Sequence, residues 1–174
     1  MQVSVEEFLD LPEPLEHRIE LICGEVVSIG RGHIPHEVVK SKINRVLTAW
    51  LLKNPIGEVF NESMFQLDGQ NCLIPDVSVL RPGHTYPGGT GLIQGAPEIA
   101  IEVVSSEAAA HLEKKIDLYL AHGSKSVWVV FPEHRIVRTF NVSGQSRKFE
   151  QNQTLEDVAL PGFRVPVTAI FEGL

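Results

Sequence analysis

The sequence predicts an α/β fold in which a mixed central sheet is flanked by helices. Several short apolar runs rich in Val, Ile and Leu are typical of buried strands, and two longer segments, 36–54 and about 107–122, place apolar residues at helical spacing. The core elements follow in the order helix, strand, strand, strand, helix, strand, which does not alternate strictly and therefore indicates a mixed sheet. The 174 residues suffice for one full hydrophobic core, so we expect a single domain over 1–174.

A short helix and a hairpin precede this core. Ser4 and Glu7 have the spacing of a capping box, which predicts a helix that stops near Pro12. The run HRIELICGEVVSIG, residues 17–30, places two apolar segments on either side of Gly24, as a β-hairpin does.

The core strands are predicted at 57–67, 72–80, 98–105 and 125–131, and a further strand follows at 135–142. The turn DGQN joins the first two strands. Residues 81–97 are rich in Gly and Pro and form the longest irregular stretch, and loops of that length are usually functional or mobile. The last segment, 160–174, is expected to pack back on the core.

The composition indicates a cytoplasmic protein without a membrane partner. The N-terminus is acidic and lacks the basic and apolar regions of a signal peptide. No apolar run approaches the ~20 residues of a membrane span. Cys23 and Cys72 form no CxxC pair, and their apolar neighbours favour reduced core residues.

The net charge of −7 argues against a general nucleic-acid coat, but the charge is unevenly distributed. Residues 31–54 carry five basic side chains and one acid, Glu37. Residues 111–148 carry seven basic side chains and three acids. Lys40, Lys42 and Arg45 of the first core helix, or Arg135, Arg138 and Lys148 later in the chain, are therefore candidate phosphate contacts. The alternative is an ordinary solvated helix face.

Two acids stand inside apolar, strand-like runs: Asp76 in NCLIPDVSVL and Glu102 in EIAIEVVSS. Because side chains alternate along a strand, Asp76 shares its face with apolar or small neighbours, and so does Glu102. Burying a carboxylate costs several kcal/mol unless a cation or hydrogen bonds compensate it. Two such acids predict a site with a cation nearby.

The helix at about 107–122 offers that cation. At 100° per residue, one face of the helix is a continuous apolar arc, formed by Ala108, Leu112, Ile116, Tyr119 and Leu120. Lys115 falls inside the arc, whereas Lys114 points to the opposite side with Glu113 and Asp117. We therefore expect Lys115 to face the sheet and Lys114 to face water.

Two carboxylates and a lysine on neighbouring elements suit a divalent metal. Mg²⁺ takes hard oxygen ligands, commonly one or two carboxylates with water and substrate phosphate oxygens. Asp76 and Glu102 are the candidate metal ligands, and a nearby ammonium can stabilise the charge of a transition state. The alternative is a buried Asp–Lys or Glu–Lys pair that has no chemical role.

Five segments give the chain a family resemblance: RIELICGEVV, PHEVV, IPDVSVL, APEIAIEVVSSE and KIDLYLAHGSKSVWVVFPEHRIV. Together they resemble the Uma-type family of restriction endonucleases in the PD-(D/E)XK nuclease superfamily, from about Val5 to Phe171. Pro75-Asp76 matches the PD element and Glu102 the (D/E). The resemblance implies a restriction-endonuclease-like core of helix, strand, strand, strand, helix and strand.

One position departs from the superfamily pattern. The superfamily lysine stands two residues after the acid, where this chain has Val104. The resembled family shows the same loss and is taken to use a lysine on the next helix, which corresponds to Lys115. The resemblance also points to Glu20 and His36, either of which would add a metal contact or orient a water molecule. Their alternatives are a hairpin surface acid and a polar residue at a helix N-terminus.

The expectation is a DNA endonuclease that depends on Mg²⁺ or Mn²⁺, with Asp76, Glu102, Lys115, Glu20 and His36 as candidate catalytic residues. Cutting both strands of DNA would need two sites, so a homodimer is expected. Two alternatives remain: a catalytically silent DNA-binding or interaction module with the same fold, and a hydrolase that uses the two acids as an acid–base pair on another substrate.

Overall fold

The structure of the chain is a computed structural model that describes residues 2–12, 14, 17–30, 32–83, 92–104 and 111–174. Within these residues it contains four α-helices: α1 (Val5–Leu9), α2 (Ile34–Leu51), α3 (Leu112–Ala121) and α4 (Thr168–Phe171). The same residues form thirteen strands: β1 (His17–Ile22), β2 (Glu25–Gly30), β3 (Glu58–Asn61), β4 (Met64–Asp68), β5 (Asn71–Leu73), β6 (Val77–Leu80), β7 (Leu92–Gln94), β8 (Ile99–Val103), β9 (Ser126–Phe131), β10 (Ile136–Asn141), β11 (Ser146–Phe149), β12 (Thr154–Glu156) and β13 (Arg164–Pro166).

A six-stranded mixed sheet forms the centre of the described fold, in the order β11-β10-β9-β8-β6-β3. Only β8 and β9 pair in parallel, and the other neighbours in this sheet are antiparallel. In chain order α2, β3, β6, β8, α3 and β9 follow the predicted core plan, so the mixed α/β prediction is confirmed.

The two long helices pack on opposite faces of this sheet. The buried side of α2, with Val39 and Ile43, belongs to the same core cluster as Ile101 of β8. On the other face, Tyr119 of α3 packs in a cluster with Val129 of β9. Because side chains alternate along β8, Glu102 points to the α3 face and its neighbour Ile101 to the α2 face.

A second sheet contains parts of two predicted strands, each of which is divided into two strands in the structure. Among the described residues it has five strands in the order β2-β1-β5-β4-β7. The predicted strand 57–67 is two strands, β3 and β4, and the predicted strand 72–80 is likewise β5 and β6. Both predictions of one continuous strand were wrong, because the chain passes between the two sheets at each break. Pro75 lies in the second break, where its missing N–H costs no ladder hydrogen bond.

The two breaks lie side by side. Asn61 pairs with Val77, and the next residue, Glu62, donates its N–H to the Asp76 carbonyl at 3.2 Å. Glu62 has a φ of 49°, a left-handed conformation that costs free energy for a residue with a Cβ. We call this point, where both chain segments change sheets, the sheet crossing.

Other predicted elements have different outcomes. The capping box of α1 is formed, with Ser4 and Glu7 bonded to each other's backbone and side chain. Cys23 is exposed at the turn between β1 and β2, so the expectation that both cysteines are core residues was wrong for this one. Short strands β7, β11, β12 and β13 were not predicted. Residues 107–110 of the predicted helix, with Ala108, and residues 84–91 of the predicted loop lie outside the described part.

The C-terminal segment packs on the core as predicted. Phe163, Val165, Ile170 and Phe171 are buried in the cluster that also contains α2. Trp128 of β9 is fully buried and tilts against Phe163, with ring centroids 5.7 Å apart. Within the described ranges, no helix combines the length and apolar character that crossing a bilayer requires.

Candidate active site

The two acids singled out by the sequence lie next to each other at the sheet crossing. Asp76 immediately precedes β6, and Glu102 is the fourth residue of β8. Because Val77 pairs with Ile101, Asp76 comes opposite the Glu102–Val103 peptide. Asp76 Oδ2 accepts a 2.8 Å hydrogen bond from the Val103 N–H. The pairing of two strands therefore holds the two carboxylates together.

Lys115 reaches this pair of strands from α3. It is 6% exposed, and its Nζ lies 2.7 Å from Glu102 Oε1 and 3.0 Å from Glu20 Oε1. The neighbouring Lys114 is exposed, as the helical spacing predicts. An ammonium has three N–H donors, and these contacts occupy two of them. Among the described residues, the third N–H has no acceptor.

Glu20 is a buried acidic partner of Lys115. It belongs to β1 and is 1% exposed. Its Oε1 accepts the Ile74 N–H at 2.6 Å as well as the lysine, while its Oε2 is buried without a hydrogen-bond partner in the described structure. A small pocket at this site has Asp76, Glu102 and Lys115 in its wall. Glu20 does not line this pocket, so it contacts the lysine and not the pocket. Tyr119 adds a hydrogen bond of 2.9 Å to Glu102 Oε1.

His36 and Asp76 belong to a closed ring of side chains at the sheet crossing. The six members, in order of contact, are Arg18, Glu62, Lys40, Glu37, His36 and Asp76. His36 Nε2 lies 3.3 Å from Asp76 Oδ2, and its Nδ1 lies 3.2 Å from Glu37 Oε1. Basic and acidic groups alternate around what we call the charge ring, so each carboxylate has a basic group on both sides.

Arg18 closes the charge ring and lies in the pocket. Its Nη2 donates to Asp76 Oδ1 at 3.5 Å, a long and therefore weak hydrogen bond. Its Nη1 lies 3.3 Å from Glu62 Oε1 without the alignment of a hydrogen bond. The guanidinium thus retains hydrogen-bonding capacity, and Arg18 has the chemistry to bind an anion in the pocket.

The charge ring sets the protonation of its inner pair. Burial by itself would raise the pKa of Asp76, but hydrogen bonds and charge from His36 and the Val103 N–H, with the charge of Lys115, bring it below its usual value. Burial would lower the pKa of His36, yet the Asp76 and Glu37 carboxylates raise it above its usual value. Asp76 is therefore held as a carboxylate, the form that binds a metal ion.

Glu102 and Lys115 form a more deeply buried pair. Burial raises the pKa of Glu102 to about 7, the Lys115 charge opposes that rise, and Asp76 and Glu20 add to it. For Lys115, burial alone would lower the pKa, but Glu102 and Glu20 together raise it above its usual value. The lysine is therefore a permanent cation in a site with three carboxylates.

The donors fit a divalent cation with hard oxygen ligands. Asp76 and Glu102 line the same small pocket, with Arg18, His36 and Lys115 also in its wall. Glu102 Oε2 accepts no hydrogen bond from any described residue, and Asp76 Oδ1 has only the long contact with Arg18. In the described part of the chain, no group of three or more His, Cys, Asp and Glu encloses a metal position. Two carboxylates with water and phosphate oxygens is the ligand set expected for Mg²⁺.

Two of the three candidate phosphate contacts on α2 form ion pairs with acidic side chains. Lys40 has a side chain only 12% exposed and contacts both Glu37 and Glu62. Lys42 lies 3.3 Å from Glu172. Arg45 is exposed. Of the three, Arg45 is the one without an ion pair among the described residues.

Sequence reasoning did not single out Arg18, Tyr119 or the Val103 N–H as parts of the site. Arg18 precedes Glu20 by two positions in a strand, so the two side chains share a face. This spacing would have indicated that Arg18 lies near the candidate residue Glu20. The contacts of Tyr119 and Val103 have no comparable signal, because they depend on the distance between segments that pair only in the folded chain.

Comparison with known proteins points to one family. A family model described as "Uma2: Putative restriction endonuclease" matches residues 5–168. Among solved structures, the fold is similar to the crystal structure of "a putative nuclease belonging to DUF820" from Anabaena variabilis, with a TM-score of 0.86, 21% identity and 97% of each chain covered. At that identity the likeness concerns the fold. No curated protein matches the chain.

Proposed function

The chain belongs to the Uma2 family, and on that premise we propose that it is a DNA endonuclease that depends on a divalent metal ion. The single observation that carries the proposal is the convergence of Asp76, Glu102 and Lys115 in one pocket. The two carboxylates are tied together through the Val103 N–H, and the lysine has a third donor N–H to spare. A structural ion pair alone would not require a second carboxylate held charged beside it.

Asp76 and Glu102 would hold the metal ion in this proposal. A bound Mg²⁺ or Mn²⁺ would lower the pKa of water and offset negative charge on the phosphate. Hydrolysis then joins the water oxygen to phosphorus and breaks a P–O bond of the DNA backbone, and the departing oxygen takes up a proton.

The remaining residues act around the reacting phosphate. The third N–H of Lys115 donates to a non-bridging phosphoryl oxygen, where negative charge builds up in the transition state. Glu20 is a positioning residue, because it orients the ammonium and does not reach the pocket. His36 is also a positioning residue in this scheme, since its contact is with Asp76.

DNA is the proposed substrate and a homodimer the proposed assembly. A single pocket cuts one strand, so a double-strand break requires two protomers that present their pockets to the two strands. Lys40, Lys42 and Arg45 are proposed contacts of the DNA backbone, with Arg45 the most accessible of them.

A plasmid-nicking assay tests the proposal. We expect nicking of supercoiled DNA in Mg²⁺ or Mn²⁺, none in EDTA, and none with Asp76→Ala. Asp117→Ala is the matched control, because Asp117 is an exposed acid on the outer side of α3 and its loss should leave the rate unchanged. Metal-independent DNA binding without any product would instead support the silent binding module, and activity in EDTA would support a different hydrolase.

A further inference from the structure

Two basic side chains lie in the same cross-strand row as Glu102. Glu102 pairs with Val129 of β9, Val129 with Arg138 of β10, and Arg138 with Lys148 of β11. Paired residues on neighbouring strands point to the same face of a sheet. All four side chains therefore project on the α3 face, the face to which Glu102 points.

The spacing of the row follows from strand geometry. Neighbouring strands lie about 4.8 Å apart, so the Arg138 backbone is roughly 10 Å from that of Glu102, and the Lys148 backbone roughly 14 Å. Along one strand of B-DNA, phosphates succeed one another every 3.4 Å of helix axis. For a duplex whose axis follows the row, the two cations would therefore lie about three to four nucleotides from the candidate site.

The pair of cations is not neutralised within the described protein. Arg138 is exposed, lies over the Phe140 ring at 5.5 Å from its centroid, and has no acidic partner among the described residues. Lys148 contacts Glu150, but both side chains are more than half exposed, and such ion pairs contribute little. Like charges directly opposite each other on two strands destabilise a sheet. A bound anion would remove that repulsion.

The opposite face of the same strand shows a different arrangement. Arg147, one residue before Lys148, points away from α3 and lies over the Phe149 ring. It shares the carboxylate of Glu156 with Arg164, each contact measuring 3.0 Å. The cations of that face therefore share an acid of the protein, Glu156, whereas Arg138 on the α3 face has no such acid within the described residues.

We propose that Arg138 and Lys148 bind the phosphate backbone of the DNA strand, about three to four nucleotides from the phosphate that is cleaved. The proposal rests on the proposed function for the identity of the ligand. It assigns part of the DNA contact to the α3 face of the sheet, in addition to the candidate contacts on α2, of which Lys40 and Lys42 already have acidic partners.

The first test compares two double variants that remove the same charge. Arg138→Gln with Lys148→Gln removes the row, and Arg147→Gln with Arg164→Gln removes two cations of the other face. Binding of a fluorescent duplex is measured by anisotropy in Ca²⁺ without Mg²⁺, over a range of salt concentrations. The row variant should bind about tenfold more weakly and reduce the salt slope by roughly one to two, whereas the control should stay within about twofold.

The second test separates binding from the site. Bis(p-nitrophenyl) phosphate is a phosphodiester without a nucleic-acid backbone, so its hydrolysis in Mn²⁺ should be the same in the row variant and the wild type. Plasmid nicking should be slower for the row variant at subsaturating DNA. Both variants change exposed side chains, and a thermal melt verifies that they fold; Arg138→Lys with Lys148→Arg keeps the charges and should bind like the wild type.

The outcomes distinguish the two proposals. An equal loss of DNA binding in the row and control variants would overturn the proposed DNA contact of Arg138 and Lys148. So would a matching loss of small-ester hydrolysis in the row variant. Neither result would contradict the proposed nuclease activity. If the wild type binds DNA through Arg138 and Lys148 but cleaves neither substrate, the proposed DNA contact is supported and the proposed nuclease activity is overturned. A wild type that neither binds nor cleaves would overturn both.

Discussion

The Val103 N–H donates to the Asp76 carboxylate at 2.8 Å, so the backbone beside one acid holds the other. Glu102 precedes Val103 in β8, and Asp76 precedes β6, which pairs with β8. The separation of the two acids therefore depends on backbone pairing between two buried strands and not on flexible side chains. A site placed on paired strands is held more rigidly than one placed on loops.

Metal binding should stabilise the protein through Asp76. At a free Mg²⁺ concentration one hundred times the dissociation constant, binding to the native state alone adds about 2.7 kcal/mol to the free energy of unfolding. Asp76→Asn retains an oxygen for the Val103 N–H but lacks the charge, so we expect this increment to vanish. Thermal melts across a Mg²⁺ titration measure it; an equal increment in the variant would contradict the assignment of Asp76 as a ligand.

The two adjacent lysines of α3 should behave differently. Lys115→Met should slow DNA cleavage at least about 100-fold, the loss seen when one donor to a transition-state oxyanion is removed. Lys114→Met changes the same residue type at an exposed position and should leave the rate within about twofold. Single-turnover cleavage measures both. Similar rates for the two variants would contradict a role for Lys115 in the chemistry.

The stability of Lys115→Met should depend on pH. Burial raises the pKa of Glu102 to about 7, above its value in the unfolded chain, and Lys115 limits that rise. When the pKa of a carboxyl group is higher in the folded chain than in the unfolded chain, the protein becomes less stable as pH rises from the lower pKa through the higher one. Without Lys115 that loss grows, so the variant should be about 3 kcal/mol less stable than the wild type at pH 8 and closer to it at pH 5.5. Urea unfolding at both pH values measures the difference.

Gly32 should be required for the position of His36. A Cβ at Gly32 would lie 2.2 Å from His36 Nδ1, so Gly32→Ala must displace the ring from Asp76. Because the Asp76 contact raises the pKa of His36, that pKa should fall in the variant. NMR titration of the His36 ring measures it. Gly69→Ala is the control, since nothing lies within 4 Å of its added Cβ, and there the His36 pKa should not change.

Trp128 should stabilise the chain at Asp157, just before the C-terminal segment, through its indole N–H. Trp128 Nε1 donates to Asp157 Oδ2 at 2.7 Å, and Asp157 also accepts from Ser126 Oγ at 2.6 Å. Trp128→Phe removes one donor from a carboxylate that keeps its other partners, and it also removes part of a fully buried ring. We therefore expect a loss of at least about 1–3 kcal/mol. Urea unfolding measures it, and a loss below about 0.5 kcal/mol would indicate that the hydrogen bond is replaced by water.

Local periodicity was enough to predict which way the side chains of the candidate site point. The 3.6-residue period of α3 separates Lys115 from Lys114, and the two-residue period of β8 turns Glu102 to the face opposite Ile101. These features require only the type of element and the character of neighbouring residues. The strand breaks at Glu62 and Pro75 were missed, because apolar content continues across them and does not reveal that the chain changes sheets.

The sequence by itself determined the order of the core elements, the burial of both acids and the inward direction of Lys115, because each follows from patterns within about ten consecutive residues. Only the tertiary structure decided that Arg18 and Glu62 surround Asp76, and that Arg138 and Lys148 share a row with Glu102. Arg18 and Asp76 are 58 positions apart in the chain. Contacts of this kind are set by strand pairing and by the packing of two sheets, and no local pattern encodes which distant residues will meet.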